Sequence, residues 1–294
     1  MGKAVPDRIR SLLTKAPFEK FGLALFRGVK YGGFWSRFIP MPYLYRPGNL
    51  RSATRGGIDY ELDPSCLMQW YIYWGFWEKQ RERLYSMVNS GDIVLDVGTN
   101  VGETLFGFAK HIGPQGFVYG FEPDPTNYSA AMRNLGLNRF SNIKIFNFGL
   151  SDKTDSVKLF TVDANNRGMN RILSDDEADG FSDFSIIETR RLDDVAAENG
   201  FDRLDLIKID IEGYEMHALR GAAETLRRFR PKLFIEVGYT RLLKNGTGPN
   251  ELVSFLEGLG YETRHAETDE LIDEAYDFSP LGDGGIDVYA VARQ

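Results

Sequence analysis

The rhythm of apolar residues from Asp92 onward constrains this chain more than any other feature. Short apolar runs that fit buried strands alternate with stretches of helical period. The pattern predicts strands over Ile93–Val97, Phe117–Phe121, Ile143–Phe148, Leu204–Ile211 and Leu233–Val237. It predicts helices over Glu103–His111, Thr126–Leu135, Tyr214–Phe229 and Asn250–Leu259, with short strands at Tyr261–Arg264 and Asp287–Ala292. Such alternation builds an α/β, Rossmann-like fold of three layers, a mostly parallel sheet with helices on both faces. Ligands then bind beyond the carboxyl ends of the strands.

Two regions stand outside the rhythm. Residues 151–200 offer strands over Val157–Val162 and Phe184–Arg190 around a polar segment, Asp163–Gly180. That segment reads either as a lid or as a loop with no role. Residues 1–80 read as an N-terminal helical extension, with 81–294 as the main domain. Within the extension, residues 8–30 predict one or two amphipathic helices divided at Pro17. Residues 31–50 predict a connector, and residues 57–63 a short strand. Leu67–Trp77 holds Trp70, Tyr71, Tyr73, Trp74, Phe76 and Trp77. This run fits a buried helix under the sheet; the alternative is a wall of an acceptor pocket.

The net charge of −7 hides an asymmetry. Residues 1–55 carry eleven Lys and Arg against Asp7 and Glu19, a net of +9. The remainder carries 24 against 40, a net of −16. A basic arm of this kind either contacts an anionic membrane or glycolipid or docks on its own acidic domain. Charges recur from Met1 to Lys30, unlike a secretory signal, and no apolar run approaches the ~18 residues that span a bilayer. Cys66 is the only cysteine, so no intrachain disulfide forms. These features suit a cytoplasmic protein, with peripheral membrane contact through residues 1–55 as the further option. The sequence carries no signal of oligomeric state.

Asp96-Val97-Gly98-Thr99-Asn100-Val101-Gly102 leads from the first strand of the rhythm into its first helix. Glycines there allow positive φ and close approach to a ligand. Gly98 and Gly102 stand four apart, so the G-x-G-x-x-G of dinucleotide sites is absent. Asp96 at the strand end repels an anionic pyrophosphate and attracts a sulfonium bearing an α-amino group. The loop therefore favours S-adenosylmethionine over NAD. Glu122, within Phe121-Glu122-Pro123-Asp124, ends the next strand, where a carboxylate can accept two hydrogen bonds from a ribose diol. Asp124 fits the N-cap of the following helix. Ser151 and Asp152 follow the third strand, where an adenine edge would be read.

Lys208-Ile209-Asp210-Ile211-Glu212 alternates charged and apolar residues, which puts Lys208, Asp210 and Glu212 on one face of a strand. Charges in a central strand are expensive unless paired. Lys208 reads as part of a structural network, whereas Asp210 and Glu212 sit at the strand end. Glu236 ends the neighbouring strand and can complete an acidic cluster. Asp210 and Glu212, beside the cofactor at the strand end, are therefore the candidates for function. Oxygen ligands of this type also suit Mg²⁺, the alternative role for the cluster. His111, His217 and His265 are scattered, and no His/Cys spacing suggests zinc.

Asp96-x-Gly98-x-Asn100-x-Gly102, Phe121-Glu122-Pro123 and Lys208-Ile209-Asp210-Ile211-Glu212-Gly213-Tyr214-Glu215 together resemble the FkbM family of methyltransferases. Leu219-Arg220-Gly221-Ala222 and Ile235-Glu236 match in order, and the resemblance covers about residues 76–240. It implies a class I methyltransferase sheet of seven strands, the last antiparallel. It also implies methylation of oxygen on sugars, glycolipids or secondary metabolites, so the partner is a small-molecule or glycan acceptor. The expected S-adenosylmethionine set is Asp96, Gly98, Asn100, Gly102, Glu122, Pro123, Ser151, Asp152 and Asp210. The expected catalytic set is Asp210, Glu212 and Glu236, with no metal ligand assigned. The chain departs from the family at Glu236-Val237-Gly238-Tyr239, where members often carry a His after the acid. Competing readings are a fold that binds a nucleotide without catalysis and a methyltransferase for carboxylates or nitrogen. A nucleic-acid enzyme is disfavoured by the acidic catalytic region.

Overall fold

The computed structural model describes residues 6–26, 28–76, 80–173 and 178–293. Its strands are β1 Arg51–Arg55, β2 Ile58–Leu62, β3 Ile93–Val97, β4 Phe117–Phe121, β5 Ile143–Phe146, β6 Gly149–Leu150 and β7 Asp155–Phe160. They continue as β8 Arg171–Ile172, β9 Phe184–Arg190, β10 Leu206–Ile209, β11 Lys232–Gly238, β12 Tyr261–His265, β13 Leu271–Ile272 and β14 Gly285–Ala292. The helices used below are α1 Asp7–Arg10, α2 Phe18–Leu25, α3 Leu67–Trp74, α4 Gln80–Ser86, α5 Glu103–Ile112 and α6 Pro125–Gly136. After them come α7 Leu192–Glu198, α8 Glu215–Arg220, α9 Ala223–Phe229, α10 Tyr239–Lys244 and α11 Pro249–Gly258.

The main sheet has the order β13-β12-β14-β11-β10-β3-β4-β5. Strands β5, β4, β3, β10 and β11 run parallel. Strand β14 lies antiparallel between β11 and β12, as the family resemblance implies. The eighth strand is the two-residue edge β13, beyond the seven expected. From β3 the chain moves outward to β4, and from β10 it moves the opposite way to β11. The gap between the ends of β3 and β10 is therefore the topological switch point, where this fold class opens a crevice.

Side-chain alternation divides the core between the two faces. Leu95, Val97, Ile207, Ile209, Leu233 and Ile235 pack on residues of α7, α8, α9 and α11. Val94, Val118, Leu206 and Phe234 pack on α3, α5 and α6. Phe26, Ile39 and Tyr45 join the second cluster, so the N-terminal extension shares a core with the main domain. The aromatic run forms the buried helix α3, with Trp70, Tyr73 and Trp74 enclosed. Trp70 Nε1 donates to the Pro40 carbonyl at 2.7 Å and Trp74 Nε1 to the Tyr45 hydroxyl at 3.2 Å. Trp77 lies outside the described residues.

Four elements depart from expectation. The strand expected over Ile143–Phe148 ends at Phe146, and Gly149–Leu150 turns into a second sheet of order β6-β9-β7-β8. The helix expected over Tyr214–Phe229 is two helices, α8 and α9. Between them Gly221 presses against the Ser151 backbone, and a Cβ there would fall on the Ser151 carbonyl oxygen. Strand β10 ends at Ile209, two residues early, because the chain turns at Asp210 toward the crevice. The helices of the extension are short, and the apolar side chains of the expected amphipathic pattern are largely exposed. Among the described residues no helix is long and apolar enough to cross a membrane.

Candidate active site

A cavity of about 270 Å³ opens at the carboxyl ends of the central strands. Gly98, Asn100, Glu122, Pro123, Asp210, Glu212 and Glu236 all line it. The loop after β3 makes this possible. Gly98 has φ +86°, and a Cβ on it would collide with the Asp210 carbonyl, so only glycine lets the two strand ends meet. Asn100 takes φ +51°, a conformation Asn tolerates better than most residues. The amides of Gly98 and Thr99 both donate to the Phe121 carbonyl, at 3.0 and 3.1 Å, tying the loop to β4.

Glu122 is buried beside that loop. Its Oε2 accepts from the Asn100 amide at 2.7 Å and its Oε1 from the Asp124 amide at 2.9 Å. Burial outweighs these donors and pushes its pKa up to about 7. Each oxygen retains a second lone pair, so the carboxylate can still accept from a diol. Asp124 caps α6 as expected, its Oδ1 accepting from Thr126 and Asn127 at 2.7 and 2.9 Å.

Four of the expected cofactor residues do not line the cavity. Asp96 is fully buried behind Lys208, accepting from Thr104 Oγ1 at 2.7 Å and lying 3.5 Å from the Lys208 ammonium. Its charge is locally compensated, so its repulsion of an anion is weaker than the bare sequence implies. Gly102 caps α5 and is backed by the Phe106 ring. Ser151 is enclosed and donates to Asp152 at 3.1 Å, and Asp152 faces His217 Nδ1 at 3.4 Å. These two fix the break between α8 and α9 rather than a ligand pocket. An unbroken third strand would have carried them to the crevice; the early turn at Phe146 takes them away.

The acidic cluster forms as expected but by a different route. Asp210, Glu212 and Glu236 each offer an oxygen within 4.8 Å of the others. Glu212 is not on the strand: it sits in the left-handed region at φ +56°, in a turn closed by Glu215. The buried Glu215 carboxylate accepts from the Ile211 and Gly213 amides at 3.1 and 3.0 Å, and burial raises its pKa to about 7. Strain of this kind clusters at functional sites. Lys208 lies 3.3 Å from Asp210. Burial opposes the Asp210 charge, but Lys208 and a hydrogen bond from Glu236 outweigh it and hold the Asp210 pKa low. Burial and the Asp210 charge push Glu236 up to about 9, so it keeps a proton at neutral pH. Burial raises Glu212 above the ordinary carboxylate range, with Arg241 offsetting part of the shift.

Arg241 is the residue that sequence reasoning missed. Its guanidinium spans the cluster, 2.8 Å from Glu212 and 3.0 Å from Glu236. It lies across Gly238 and Gly285, where any Cβ would strike it. Its signal was faint: a basic residue five positions after Glu236, where a His was sought nearer. The acidic trio could also hold Mg²⁺, an oxygen-seeking ion. Lys208 and Arg241 already supply two positive charges to it.

The polar segment after β7 forms the outer wall. Residues 166–172 line the cavity, pairing Arg171–Ile172 with β7. Asn170 Nδ2 donates to Asp124 Oδ2 at 2.7 Å, Arg167 lies 3.5 Å from Asp124, and the Leu67 amide donates to the Asn165 carbonyl at 2.8 Å. Residues 166–172 are thus a wall of the cavity; 174–177 lie outside the described residues. Helix α3 contributes Met68 and Ile72 to the cavity, not the run of rings.

One stability prediction follows from Glu236. The unfolded chain releases this proton above about pH 4.5, whereas the folded protein keeps it to about 9. The native state therefore binds more protons across that window, and stability falls as pH rises through it. Melting temperatures of Glu236→Gln are expected to fall less between pH 5 and 9 than those of the parent, as measured by calorimetry.

The sheet order, the antiparallel β14 and the strand-end crevice define a class I methyltransferase fold. The model for the Methyltransferase FkbM domain matches residues 96–263, and the chain belongs to the FkbM methyltransferase family. The 2-O-methyltransferase NoeI of Sinorhizobium fredii is 27% identical over 164 residues, 52% of this chain and 66% of that protein. Methyltransferase sdnD of Sordaria araneosa is 30% identical over 175 residues, 49% of this chain and 66% of that protein. The chain thus spans just under two thirds of the length of these two relatives. The 31-O-demethyl-FK506 methyltransferase FkbM of Streptomyces tacrolimicus is 29% identical over 207 residues, 62% of this chain and 76% of that protein. Among solved structures, methyltransferase FkbM from Methylobacillus flagellatus KT aligns at 23% identity and a TM-score of 0.42, over 69% of this chain and 44% of that one.

Proposed function

We propose that this protein transfers a methyl group from S-adenosylmethionine to a hydroxyl of a sugar, glycolipid or secondary metabolite. The observation that carries the reading is the pairing, in one cavity, of Glu122 with the Asp210–Glu212–Glu236 cluster. Family membership supports the same reaction class, and two relatives are named as O-methyltransferases. When bound, the cofactor supplies a methyl carbon made electrophilic by its sulfonium.

The residues fit that group. Glu122 accepts the ribose hydroxyls, and Gly98 lets the strand ends close up so that Asp210 stands beside the loop. Asp210, held ionised by Lys208, attracts the α-amino group. Glu212 would take the proton of the acceptor hydroxyl. Its raised pKa suits a general base working near neutral pH. Glu236, protonated, donates to Asp210 and keeps the cluster from carrying three negative charges. The lid at 166–172 excludes water and helps align the acceptor; such positioning can supply ~7–11 kcal/mol of the barrier.

Calorimetric titration with S-adenosylmethionine tests the first half of the reading. One-to-one binding is expected, with no binding of NAD. Glu122→Gln is expected to weaken affinity about ten- to a hundredfold, the loss of hydrogen bonds to a charged acceptor. Equal affinity in the variant would remove Glu122 from the cofactor site.

A further inference from the structure

The N-terminal arm carries a surface that methyl transfer does not use. Ile9, Leu12, Phe18, Phe21, Leu25 and Trp35 are each between 51% and 66% exposed. Phe18, Phe21 and Leu25 follow helical spacing and share one side of α2. The adjoining face of α2 is buried through Glu19 and Gly22, with Gly22 against Trp74 and Leu13. The segments of the arm are tied to one another. Arg10 Nε donates to the Arg37 carbonyl at 2.8 Å, Tyr43 donates to Asp7 at 3.1 Å, and Arg51 lies 3.2 Å from Glu19. Exposed apolar side chains gathered on a well-anchored arm mark a site of association.

The charge around them indicates with what. Arg8, Lys15, Lys20, Lys30 and Arg37 are exposed on the same arm. The arm as a whole carries +9, against −16 for the rest of the chain. Aromatic and aliphatic side chains interleaved with Lys and Arg are the composition of segments that lie in the interface of an anionic bilayer. Each base near such a surface contributes attraction, while the acidic body is repelled from it. That polarity orients the molecule arm-first. A second copy is a poorer occupant, because a twofold pairing of arms would set like charges against each other.

We propose that the N-terminal arm docks on an anionic lipid bilayer, with Phe18, Phe21, Leu25 and Trp35 entering the interface and the flanking bases meeting the headgroups. Helix α3 connects this face to the cavity: Tyr31 of the arm packs edge-on against Trp70, and Met68 and Ile72 of the same helix line the pocket.

Flotation with phosphatidylcholine vesicles, with and without phosphatidylserine, tests this on the full chain. Binding is expected only to the vesicles containing phosphatidylserine, and is expected to weaken as salt rises. The double variant Phe18→Ser/Phe21→Ser is expected to lose about tenfold or more in partition, at an unchanged melting temperature. Lys15→Glu/Lys20→Glu is expected to lose binding to the anionic vesicles in the same way. The proposal is overturned if the parent fails to float with anionic vesicles, or if both variants bind as the parent does. It is also overturned if light scattering shows a dimer that the Phe18→Ser/Phe21→Ser variant abolishes. None of these readouts depends on methyl transfer, so failure here leaves the proposed reaction standing.

Discussion

Glu212→Gln is expected to lower turnover by about two to four orders of magnitude, while S-adenosylmethionine affinity stays within a few-fold. The substitution is nearly isosteric and can still accept from Arg241, so the turn around φ +56° should survive. What it removes is the place for the acceptor proton. The loss should shrink for an acceptor whose hydroxyl is more acidic, because less of the barrier then depends on a base. Asp210→Asn should show the opposite division, with cofactor affinity falling more than turnover. It leaves the buried Lys208 paired only with Asp96. Steady-state kinetics with both variants separate the two roles. Turnover close to the parent in Glu212→Gln, with normal folding, would remove it as the base.

Arg241→Met is the second large effect. Arg241 is only 15% exposed in its side chain, and it is the cation that touches both Glu212 and Glu236. Removing one partner of a buried ion pair leaves uncompensated charge, at a cost of about 3–5 kcal/mol. Part of that relaxes by protonation of Glu212, which already sits above the ordinary carboxylate range, whereas Glu236 holds its proton in the parent. A loss near the lower end, about 3 kcal/mol, corresponds to a fall in Tm of roughly 6–12 °C. The protonation has a kinetic signature. Without Arg241 the Glu212 pKa rises further, so the acid limb of the pH–rate profile should move to higher pH. Arg241→Lys keeps the charge but not the fork that reaches both carboxylates, and should restore stability more than the profile. Calorimetry and a pH–rate profile check the two effects separately.

The legible and illegible parts of this molecule differ in range. The strands around the crevice were readable because burial on both faces leaves a mostly apolar run, as in Ile93–Leu95 and Leu233–Ile235. Glu122 was readable because a strand end and a cap residue bracket it. Period-two alternation, by contrast, does not say where a strand stops. It therefore put Glu212 in line with Lys208, although a left-handed turn held by Glu215 presents it. It likewise extended the third strand to Phe148 and carried Ser151 and Asp152 toward a cavity that they do not line. Tertiary partners were beyond reach for a different reason. Asp96 is screened by Lys208, which is 112 residues away, and Glu212 is held by Arg241 from another element. No local pattern records such pairings. The break at Gly221 depends on the approach of the Ser151 backbone, which also has no trace in the helical period.

Transfer of a ¹³C-methyl group from labelled S-adenosylmethionine, with the product located by NMR after incubation with hydroxylated oligosaccharides, glycolipids and macrolides, tests the central claim most directly. The account predicts a label bonded to oxygen, formed by the parent and nearly absent with Glu212→Gln. A label on nitrogen or carbon, or equal oxygen labelling by the Glu212→Gln variant, would contradict it.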